Sequence, residues 1–210
     1  MQSAMEPEGY IIRQAKTSDM DDLYDICIRT GNYGEDARNL YNNHVALGIY
    51  YVGPYVALEQ DLAFVLEDKL GICGYVLGTK DTKIFFKKMT EEWLPKYQTR
   101  FPMPEGDPEI WNMDQKIVAL IHNPRVSIPD SLNNFPAHLH IDLLPRARKK
   151  GNGRRMIETL HEKLQILGIK GVFLDVGINN LNAQSFYEKI GYKKLQVTPS
   201  KDGLFMIHQL

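Results

Sequence analysis

The pattern of apolar and polar positions divides the first part of the chain into a strand, a helix and a hairpin. YIIRQA, from Tyr10 to Ala15, is typical of a strand. The next segment, TSDMDDLYDICIRTG, has apolar residues at helical spacing, with Ser18 as its expected N-cap and Gly31 at its end. Two apolar runs, LAFVLED and GICGYVLGT, are separated by a short turn and predict two antiparallel strands.

The last part of the chain alternates strands and helices. AHLHIDLLP predicts a strand, and GNGRRMIETLHEKLQILG predicts an amphipathic helix that ends at Gly168. GVFLDVGI suits a strand buried on both faces, as in a parallel pair, and NAQSFYEKIG predicts another helix. YKKLQV and LFMIHQL are expected to form an antiparallel pair at the edge of the sheet. This order predicts a right-handed parallel crossover, so the fold class is α/β with a mixed sheet.

The segment between these two regions, about residues 81–135, has a different character. Its aromatic residues and prolines predict short helices and turns rather than regular sheet. Trp93, Tyr97 and Trp111 have two interpretations, since they could line a substrate pocket or form a small core of the insertion. The core interpretation is favoured for at least two of the three, because large aromatic side chains are mostly buried.

Composition limits the classes of function. A chain of 210 residues fits a single domain, residues 1–210, with one insertion. The formal net charge of −1 argues against nucleic acid as a partner, because it provides no overall positive field. No apolar run is long enough to cross a membrane, so no membrane association is expected. Cys27 and Cys73 lie in apolar surroundings, which favours buried free thiols over a disulfide and predicts a cytoplasmic protein.

A basic loop that contains two glycines, PRARKKGNGRR, connects the strand ending near Leu144 to the helix beginning near Asn152. Free N–H groups at a helix N-terminus bind phosphate oxygens, and glycines let the backbone approach a ligand closely. The spacing fits neither a Walker loop nor a dinucleotide fingerprint. Taken alone, the loop is equally compatible with an anion site and with an ordinary solvated helix start.

A second pattern follows the loop at a fixed separation. LDVGINNLNAQSFYEKIGY ends a strand at Val176, places Asn180 and Ala183 three residues apart, and continues to Tyr187 and EKIGY. Together, the loop and this pattern resemble the two sequence signatures of the GNAT superfamily of N-acetyltransferases. The resemblance implies a GNAT fold: a mixed, mostly antiparallel central sheet with a parallel, splayed strand pair, flanked by helices. An acetyl-CoA-binding core would then span about residues 137–192.

Other stretches resemble one subgroup of that superfamily. AHLHIDLLP, FVLEDKLGICGYVLGT, WLP and YDIC are similar to the acetyltransferase-like C-terminal domain of O-GlcNAc hydrolases and its free-standing bacterial relatives. The long insertion between the third and fourth core strands, helical and irregular, also fits. The animal domains of this subgroup have lost the glycine-containing loop, which this chain keeps. The chain has no room for a glycosidase barrel, so no glycosidase activity is expected.

The resemblance to the superfamily implies a role for each matching residue. Leu143 would offer its main-chain N–H and C=O to the pantetheine arm and the thioester, the loop amides would bind the pyrophosphate, and Tyr187 would donate a proton to the departing thiolate. Asn180 would contact the pantetheine or cap the next helix. The implied acetyl-CoA-binding residues are Leu143, Leu144, Arg148, Lys149, Lys150, Gly151, Asn152, Gly153, Arg154, Asn180, Ala183 and Tyr187.

The candidates for the general base lie on the strand before the loop. His138, His140 and Asp142 alternate along it and therefore share one face. A histidine or carboxylate there could deprotonate an ammonium group, directly or through water. Asp142 and His138 rank ahead of His140, and Asp175 on the neighbouring strand could bond to one of them. The alternative is that the histidines are buried and hydrogen-bonded to neighbouring backbone.

Three functions remain open from the sequence. The first is an acetyl-CoA-dependent N-acetyltransferase that acts on an amine acceptor by direct attack in a ternary complex, with no metal. The second is a catalytically silent module that binds acetyl-CoA or another protein. The third, nucleic-acid binding through the basic loop, is disfavoured by the near-neutral net charge. The protein is expected to be a monomer or a homodimer, and the sequence does not identify the acceptor.

Overall fold

The computed structural model describes residues 9–195 and 203–210, and its centre is a seven-stranded sheet. The strands are β1 (Ile11–Gln14), β2 (Ala63–Asp68), β3 (Gly71–Thr79), β4 (Ala137–Leu143), β5 (Gly171–Gly177), β6 (Lys193–Lys194) and β7 (Gly203–Gln209). The helices are α1 (Met20–Thr30), α2 (Ala46–Tyr51), α3 (Gly53–Leu58), α4 (Thr82–Lys88), α5 (Pro95–Gln98), α6 (Met113–His122), α7 (Asn152–Ile166) and α8 (Leu181–Lys189).

The strand order in the sheet is β1-β2-β3-β4-β5-β7-β6. Every neighbouring pair is antiparallel except β4 and β5, which run parallel. The parallel pair is joined at Ala137–Val172 and His138–Phe173, and the two strands then diverge. The predicted fold class, a mixed and mostly antiparallel sheet with one splayed parallel pair, is confirmed.

The end of the chain forms the predicted antiparallel pair at the edge of the sheet. Strand β7 pairs along its whole length with β5, and the two-residue β6 lies outside it at the sheet edge. The last two residues of the predicted YKKLQV strand, 196–197, lie outside the described residues. The predicted antiparallel pair at the sheet edge, β6 with β7, is therefore confirmed, and β7 also pairs with β5 on its other side. The apolar alternation of LFMIHQL fits such a position because the strand has neighbours on both sides.

The two faces of the sheet are covered by different helices. A side chain added at Gly78 of β3 would meet Leu160 of α7, and one added at Gly74 would meet Leu143. Tyr75, between these two glycines, points to the opposite face, where its register partner is Asp142. Helix α7 therefore covers the Leu143 face of β4. The other face, with His138, His140 and Asp142, is covered by α1, α2 and α3.

The segment between β3 and β4 carries helices α4, α5 and α6. Trp93 is buried, and its Nε1–H donates to the Ile49 carbonyl at 2.8 Å. Tyr97 packs on Trp93 with ring centroids 5.1 Å apart. Trp111 is only half-buried and donates to the Glu105 carbonyl. Trp93 and Tyr97 are thus packed in the interior, as favoured for two of the three, but they belong to the main core rather than to a small core of the insertion, because Trp93 reaches α2.

Two further expectations concern the cysteines and membranes. Cys27 and Cys73 are both buried and unpaired, which agrees with the prediction of free thiols. Among the helices of residues 9–195 and 203–210, none has the length and hydropathy needed to cross a bilayer.

Candidate functional site

The divergence of β4 from β5 opens a cleft of about 1130 Å³, here called the β4–β5 cleft. Leu144 N–H donates to the Cys73 carbonyl at 2.8 Å, so the even-numbered residues at this end of β4 direct their backbone groups toward β3. Successive residues of a strand alternate in this direction, and the N–H groups of Ile141 and Leu143 therefore face the cleft. Since β5 has moved away at this level, the cleft has a wall of main-chain hydrogen-bonding groups.

The basic loop brings a helix N-terminus to the mouth of this cleft. Lys149 and Gly151 both have positive φ, 59° and 78°, and they turn the chain into α7 at Asn152. The Asn152 side chain is buried and donates to the Ala147 carbonyl at 3.0 Å, which ties the start of the helix to the loop. A Cβ at Gly153 would lie 3.1 Å from the Phe186 ring, so the glycine leaves α7 and α8 close together at the cleft.

The cations of the loop have different partners. Arg148 donates to the Leu143 carbonyl at 2.7 Å and also to the Gly34 carbonyl. Lys150 donates to the Tyr10 hydroxyl at 2.8 Å, and Arg154 donates to the Lys189 carbonyl at 3.1 Å. Lys149 is exposed, and its side chain forms no hydrogen bond or ion pair within the described part of the chain. Most of these cations therefore hold the loop against distant segments, and Lys149 is the one among these four that is available to an anion.

Leu143 and Leu144 also differ from the sequence expectation. The Leu143 carbonyl is occupied by Arg148, so only its N–H remains directed into the cleft. The Leu144 N–H is used by the β3 pairing. The physical reason is the same for both residues, since the sequence cannot show which main-chain groups a neighbouring strand or an arginine satisfies.

Helix α8 forms the opposite wall of the cleft. Asn180 is its N-cap, with Oδ1 accepting the Ala183 N–H at 3.1 Å, so the structure shows the capping role for this residue. Gln184, which the sequence did not single out, donates from Nε2 to the Gly177 and Ile178 carbonyls and fixes α8 to the end of β5. Asn180 and Ala183 both line the cleft.

Tyr187 also lines the cleft, one helical turn after Ala183. Its ring is buried, and its hydroxyl forms no hydrogen bond within residues 9–195 and 203–210. Burial, followed by the nearby Asp142 carboxylate, raises the pKa of Tyr187 above the usual range. The hydroxyl therefore keeps its proton at physiological pH and has no protein acceptor for it.

His138 is part of the core. Its Nε2 lies 2.6 Å from the Tyr55 hydroxyl and its Nδ1 lies 2.8 Å from Thr82 Oγ1. The side chain is only 6% exposed. Burial, followed by the charge of His140, lowers the pKa of His138 to about 3. His138 is therefore buried, as the alternative expected, but its ring nitrogens bond to two side-chain hydroxyls rather than to neighbouring backbone.

His140 and Asp142 form a cluster with Tyr75 on the cleft side of β4. The Tyr75 hydroxyl donates to Asp142 Oδ2 at 2.6 Å, and His140 Nε2 lies 3.1 Å from the same hydroxyl and 3.3 Å from Asp142 Oδ2. Tyr75 has one proton, which it gives to the carboxylate, so the contact with His140 requires an N–H on Nε2. In the neutral imidazole, this assignment makes Nδ1 the ring nitrogen that can accept a proton.

Cys27 of α1 completes this cluster and was not predicted as a site residue. Its Sγ, a His140 nitrogen and an Asp142 carboxylate oxygen all lie within 4.8 Å of one another, a spacing that could hold a metal ion. Burial, followed by the nearby Asp142 carboxylate, raises the pKa of the Cys27 thiol well above its usual value. Tyr75 and Cys27 come from the hairpin and the first helix, and only the strand register, Tyr75 opposite Asp142, could have indicated Tyr75.

A second cavity, of about 710 Å³, lies against the cleft and is here called the aromatic cavity. Tyr51, His140 and Asp175 line both spaces. Loss of solvation raises the pKa of Asp175 to about 6, and the positive charge of Arg125 opposes that rise. Asp175 forms no direct contact with His140 or Asp142 among the hydrogen bonds of the described residues, although it lies in the same two spaces.

The chain is similar in sequence and in structure to several known proteins. Protein O-GlcNAcase from Rattus norvegicus and from Mus musculus are each 31% identical to the chain over 192 residues. This alignment covers 87% of the chain but 20% of each relative, so the chain spans about a fifth of the length of these proteins. The solved structure of SsHAT has a TM-score of 0.88 at 36% identity, covering 96% of this chain and 98% of that one.

Two more distant structures share the fold. YncA from Salmonella typhimurium, a putative acetyltransferase solved with acetyl-CoA, has a TM-score of 0.54 at 14% identity, covering 97% of this chain and 95% of that one. The PaiA N-acetyltransferase of Thermoplasma acidophilum, in complex with coenzyme A, has the same TM-score at 15% identity, covering 96% and 99%. The sequence model described as the acetyltransferase (GNAT) family matches residues 58–192, which include β2 to β5, the basic loop and α8. The chain therefore belongs to the acetyltransferase (GNAT) family.

Proposed function

We propose that the protein transfers an acetyl group from acetyl-CoA to an amine in a ternary complex. The observation that carries this proposal is the β4–β5 cleft, whose main-chain wall leads directly to the N-terminus of α7. Acetyl-CoA is a long, anionic thioester, and such a cleft offers hydrogen bonds along its length and a positive helix end at its mouth. The distant neighbours solved with acetyl-CoA or coenzyme A share the fold and support the choice of cosubstrate.

The residues that line the cleft fit acetyl-CoA. At the mouth of the cleft, the free N–H groups at the start of α7 and the exposed Lys149 would hold phosphate oxygens. Gly151 has positive φ and no side chain, so the backbone can approach those oxygens. Inside the cleft, the N–H groups of Ile141 and Leu143 would hold the pantetheine and donate to the thioester carbonyl as negative charge develops there.

The proposed general base is His140, supported by Asp142. In the neutral ring, Nδ1 is the proton acceptor, because Nε2–H is held by the Tyr75 hydroxyl and the Asp142 carboxylate. A proton taken from the amine by Nδ1 would leave an imidazolium beside that carboxylate, which stabilises the positive charge. His138 is not proposed for this role, because both its nitrogens are bonded within the core.

The proposed general acid is Tyr187. Its hydroxyl is protonated, borders the cleft and has no acceptor among the described residues, so its proton is available to the thiolate that leaves. The acid and the base lie on different elements, α8 and β4, on either side of the space where the thioester would lie. The buried free thiols are compatible with the reducing conditions of the cytoplasm, which is the proposed location.

A thermal-shift titration with acetyl-CoA tests the cosubstrate. A ligand present at a hundredfold its dissociation constant stabilises the folded protein by about 2.7 kcal/mol, so the wild type should show a clear rise in Tm. Lys149→Glu should weaken this rise, because it places a negative charge at the mouth of the cleft. Lys87→Glu on α4, also an exposed lysine but outside the cleft, is the matched control and should behave as wild type.

Release of free thiol from acetyl-CoA in the presence of amines tests the transfer itself. An N-acetyltransferase should release thiol only when an acceptor amine is added. Binding of acetyl-CoA without thiol release by any amine in a broad panel would contradict the proposal and point instead to a silent binding module.

A further inference from the structure

We propose that the aromatic cavity is the acceptor site, and that the acceptor is a small primary amine with one positive charge and a flat, apolar aryl body. This inference rests on the proposed acetyl transfer, and it adds the class of acceptor to it. The cavity has a volume of about 710 Å³, within the usual range for small-molecule sites and large enough for an aryl ring on a short alkyl chain.

The walls of the cavity are dominated by aromatic rings. Tyr55 stacks on Phe85 with centroids 4.4 Å apart, and Phe173 meets Phe205 edge to face at 5.5 Å. Phe86 is tilted against the His138 ring at 5.4 Å and is partly exposed to the cavity. Aromatic rings bind other flat rings through stacked and edge-to-face contacts, and their faces also attract an ammonium group. Such walls offer few partners to a polar or extended acceptor.

The charges around the cavity limit the charge of the acceptor. Its lining contains one carboxylate, from Asp175, and one guanidinium, from Arg125. The two influence each other, since the charge of Arg125 acts on the Asp175 carboxyl. One carboxylate can balance one ammonium, whereas a polyamine would place further positive charges near Arg125 without partners. His138, which also lines the cavity, is held neutral by burial and does not change this balance.

The connection to the β4–β5 cleft fixes the orientation of the acceptor. His140 and Asp175 border both spaces, and the Tyr51 ring lies over His140 with centroids 6.0 Å apart. An aryl group among the phenylalanines would therefore direct its amine toward this junction, where His140 Nδ1 is proposed to accept the proton. The nitrogen lone pair then forms the bond to the acetyl carbon, the carbon–sulfur bond breaks, and the thiolate takes the proton of Tyr187. The Tyr187 phenolate then takes the excess proton from the nitrogen of the new amide.

The experiment compares amines of different classes on the same enzyme. 2-Phenylethylamine and tryptamine represent the proposed class, while spermidine and a lysine-containing peptide represent polyamines and protein side chains. Thiol release should show a kcat/KM at least tenfold higher for the aryl amines. Phe86→Ala should raise KM for 2-phenylethylamine about tenfold, because it removes one ring face, with kcat changed less than threefold.

Ile84→Ala is the matched control, since Ile84 lies on the same helix, is 52% exposed and does not line the cavity. It should leave both kinetic constants unchanged. If spermidine or the peptide is the better acceptor, or if Phe86→Ala has no more effect than Ile84→Ala, the acceptor assignment is wrong although acetyl transfer stands.

If no turnover is seen, a measurement of amine binding distinguishes failure of the acceptor assignment from failure of the proposed acetyl transfer. Calorimetric titration of 2-phenylethylamine into the protein saturated with coenzyme A should show binding that Phe86→Ala weakens and Ile84→Ala does not. Absence of any such binding overturns the acceptor assignment. Absence of both thiol release and stabilisation by acetyl-CoA overturns the proposed function, whatever the amine titration shows.

Discussion

At the scale of single residues, two histidines on one face of β4 have different environments and should respond differently to removal. His138→Ala leaves the Tyr55 and Thr82 hydroxyls buried without their partner and creates a cavity, so it should lower the free energy of unfolding by about 2 to 4 kcal/mol. His140→Ala should change stability much less, because this side chain is about one-third exposed. Urea denaturation of both variants measures this difference.

The same two substitutions should affect activity in the reverse order. His140→Ala should lower kcat for acetyl transfer by about 10²- to 10⁴-fold, the usual contribution of a general base. His138→Ala, assayed at a temperature where it remains folded, should retain most of its kcat. A loss of kcat with His138→Ala as large as that with His140→Ala would contradict the assignment of the base.

The proposed general-acid role of Tyr187 can be tested by comparison with a neighbouring tyrosine. Tyr187→Phe removes only the hydroxyl and should lower kcat on the order of 10²-fold, with the affinity for acetyl-CoA changed less than threefold. Tyr192→Phe is the control, since its ring lies 5.6 Å from Tyr187 and its hydroxyl bonds to His161 Nε2 instead of facing the cleft. Steady-state kinetics with one acceptor, and thermal shift with acetyl-CoA, give both quantities. Equal losses of kcat in the two variants would mean that the hydroxyl has no proton-transfer role.

At the scale of elements, the packing of α1 on α2 depends on a glycine inside a helix. A Cβ at Gly48 would lie 2.5 Å from the ring of Tyr24 on α1. Alanine is favoured over glycine in a helix by about 1 kcal/mol, but a contact this close forces the helices apart at a cost of typically 1 to 3 kcal/mol. Gly48→Ala should therefore lower the free energy of unfolding in urea.

A double-mutant cycle identifies the cause of that loss. Tyr24→Leu removes the ring that the new methyl group meets, so Gly48→Ala should be less destabilising in the Tyr24→Leu background than in wild type. The interaction energy from the four urea curves measures the overlap. If Gly48→Ala costs the same in both backgrounds, the close contact with Tyr24 does not explain the glycine.

The elements also show which parts of the fold and site the sequence can predict. Strand β4, the loop and α7 are continuous in sequence, and local periodicity with two glycines was enough to predict them. The Tyr75–His140–Asp142 cluster is not local, because it depends on the register of β3 against β4. The partners of Arg148 and Lys150, near Gly34 and Tyr10, are more than 100 residues away in sequence, so the loop appeared more available to an anion than it is.

At the scale of the whole molecule, buried histidines should make stability depend on pH. Burial, followed by the charge of a neighbouring histidine, lowers the pKa of His138 to about 3 and that of His161 to about 4. A folded-state pKa below the unfolded value of about 6.5 means that folding favours the neutral imidazole. The stability from each group is fully present above pH 6.5 and is lost progressively as the pH falls toward the folded-state pKa.

When the pH falls from 7 to 5, each of these two histidines should lower the free energy of unfolding by about 1 to 2 kcal/mol. Asp175 acts in the opposite direction, because its pKa is raised to about 6 and its protonation in this range favours the folded state. Its carboxyl is exposed, so solvent screening makes this contribution smaller. The two histidines should therefore outweigh it, and urea denaturation should show a net loss of stability at pH 5.

Variants can assign this loss of stability to particular histidines. The quantity to compare is the slope of the free energy of unfolding against pH, which does not depend on how stable each variant is at neutral pH. His161→Gln should flatten the slope between pH 7 and pH 5, since glutamine cannot take up the proton that the folded state excludes. His44→Gln, at an exposed imidazole, is the control and should keep the wild-type slope. The rings of His161, His208 and Tyr192 pack on one another, and Tyr192 also packs on Tyr187. An unchanged slope in His161→Gln would mean that water reaches this stack and solvates the charged imidazole.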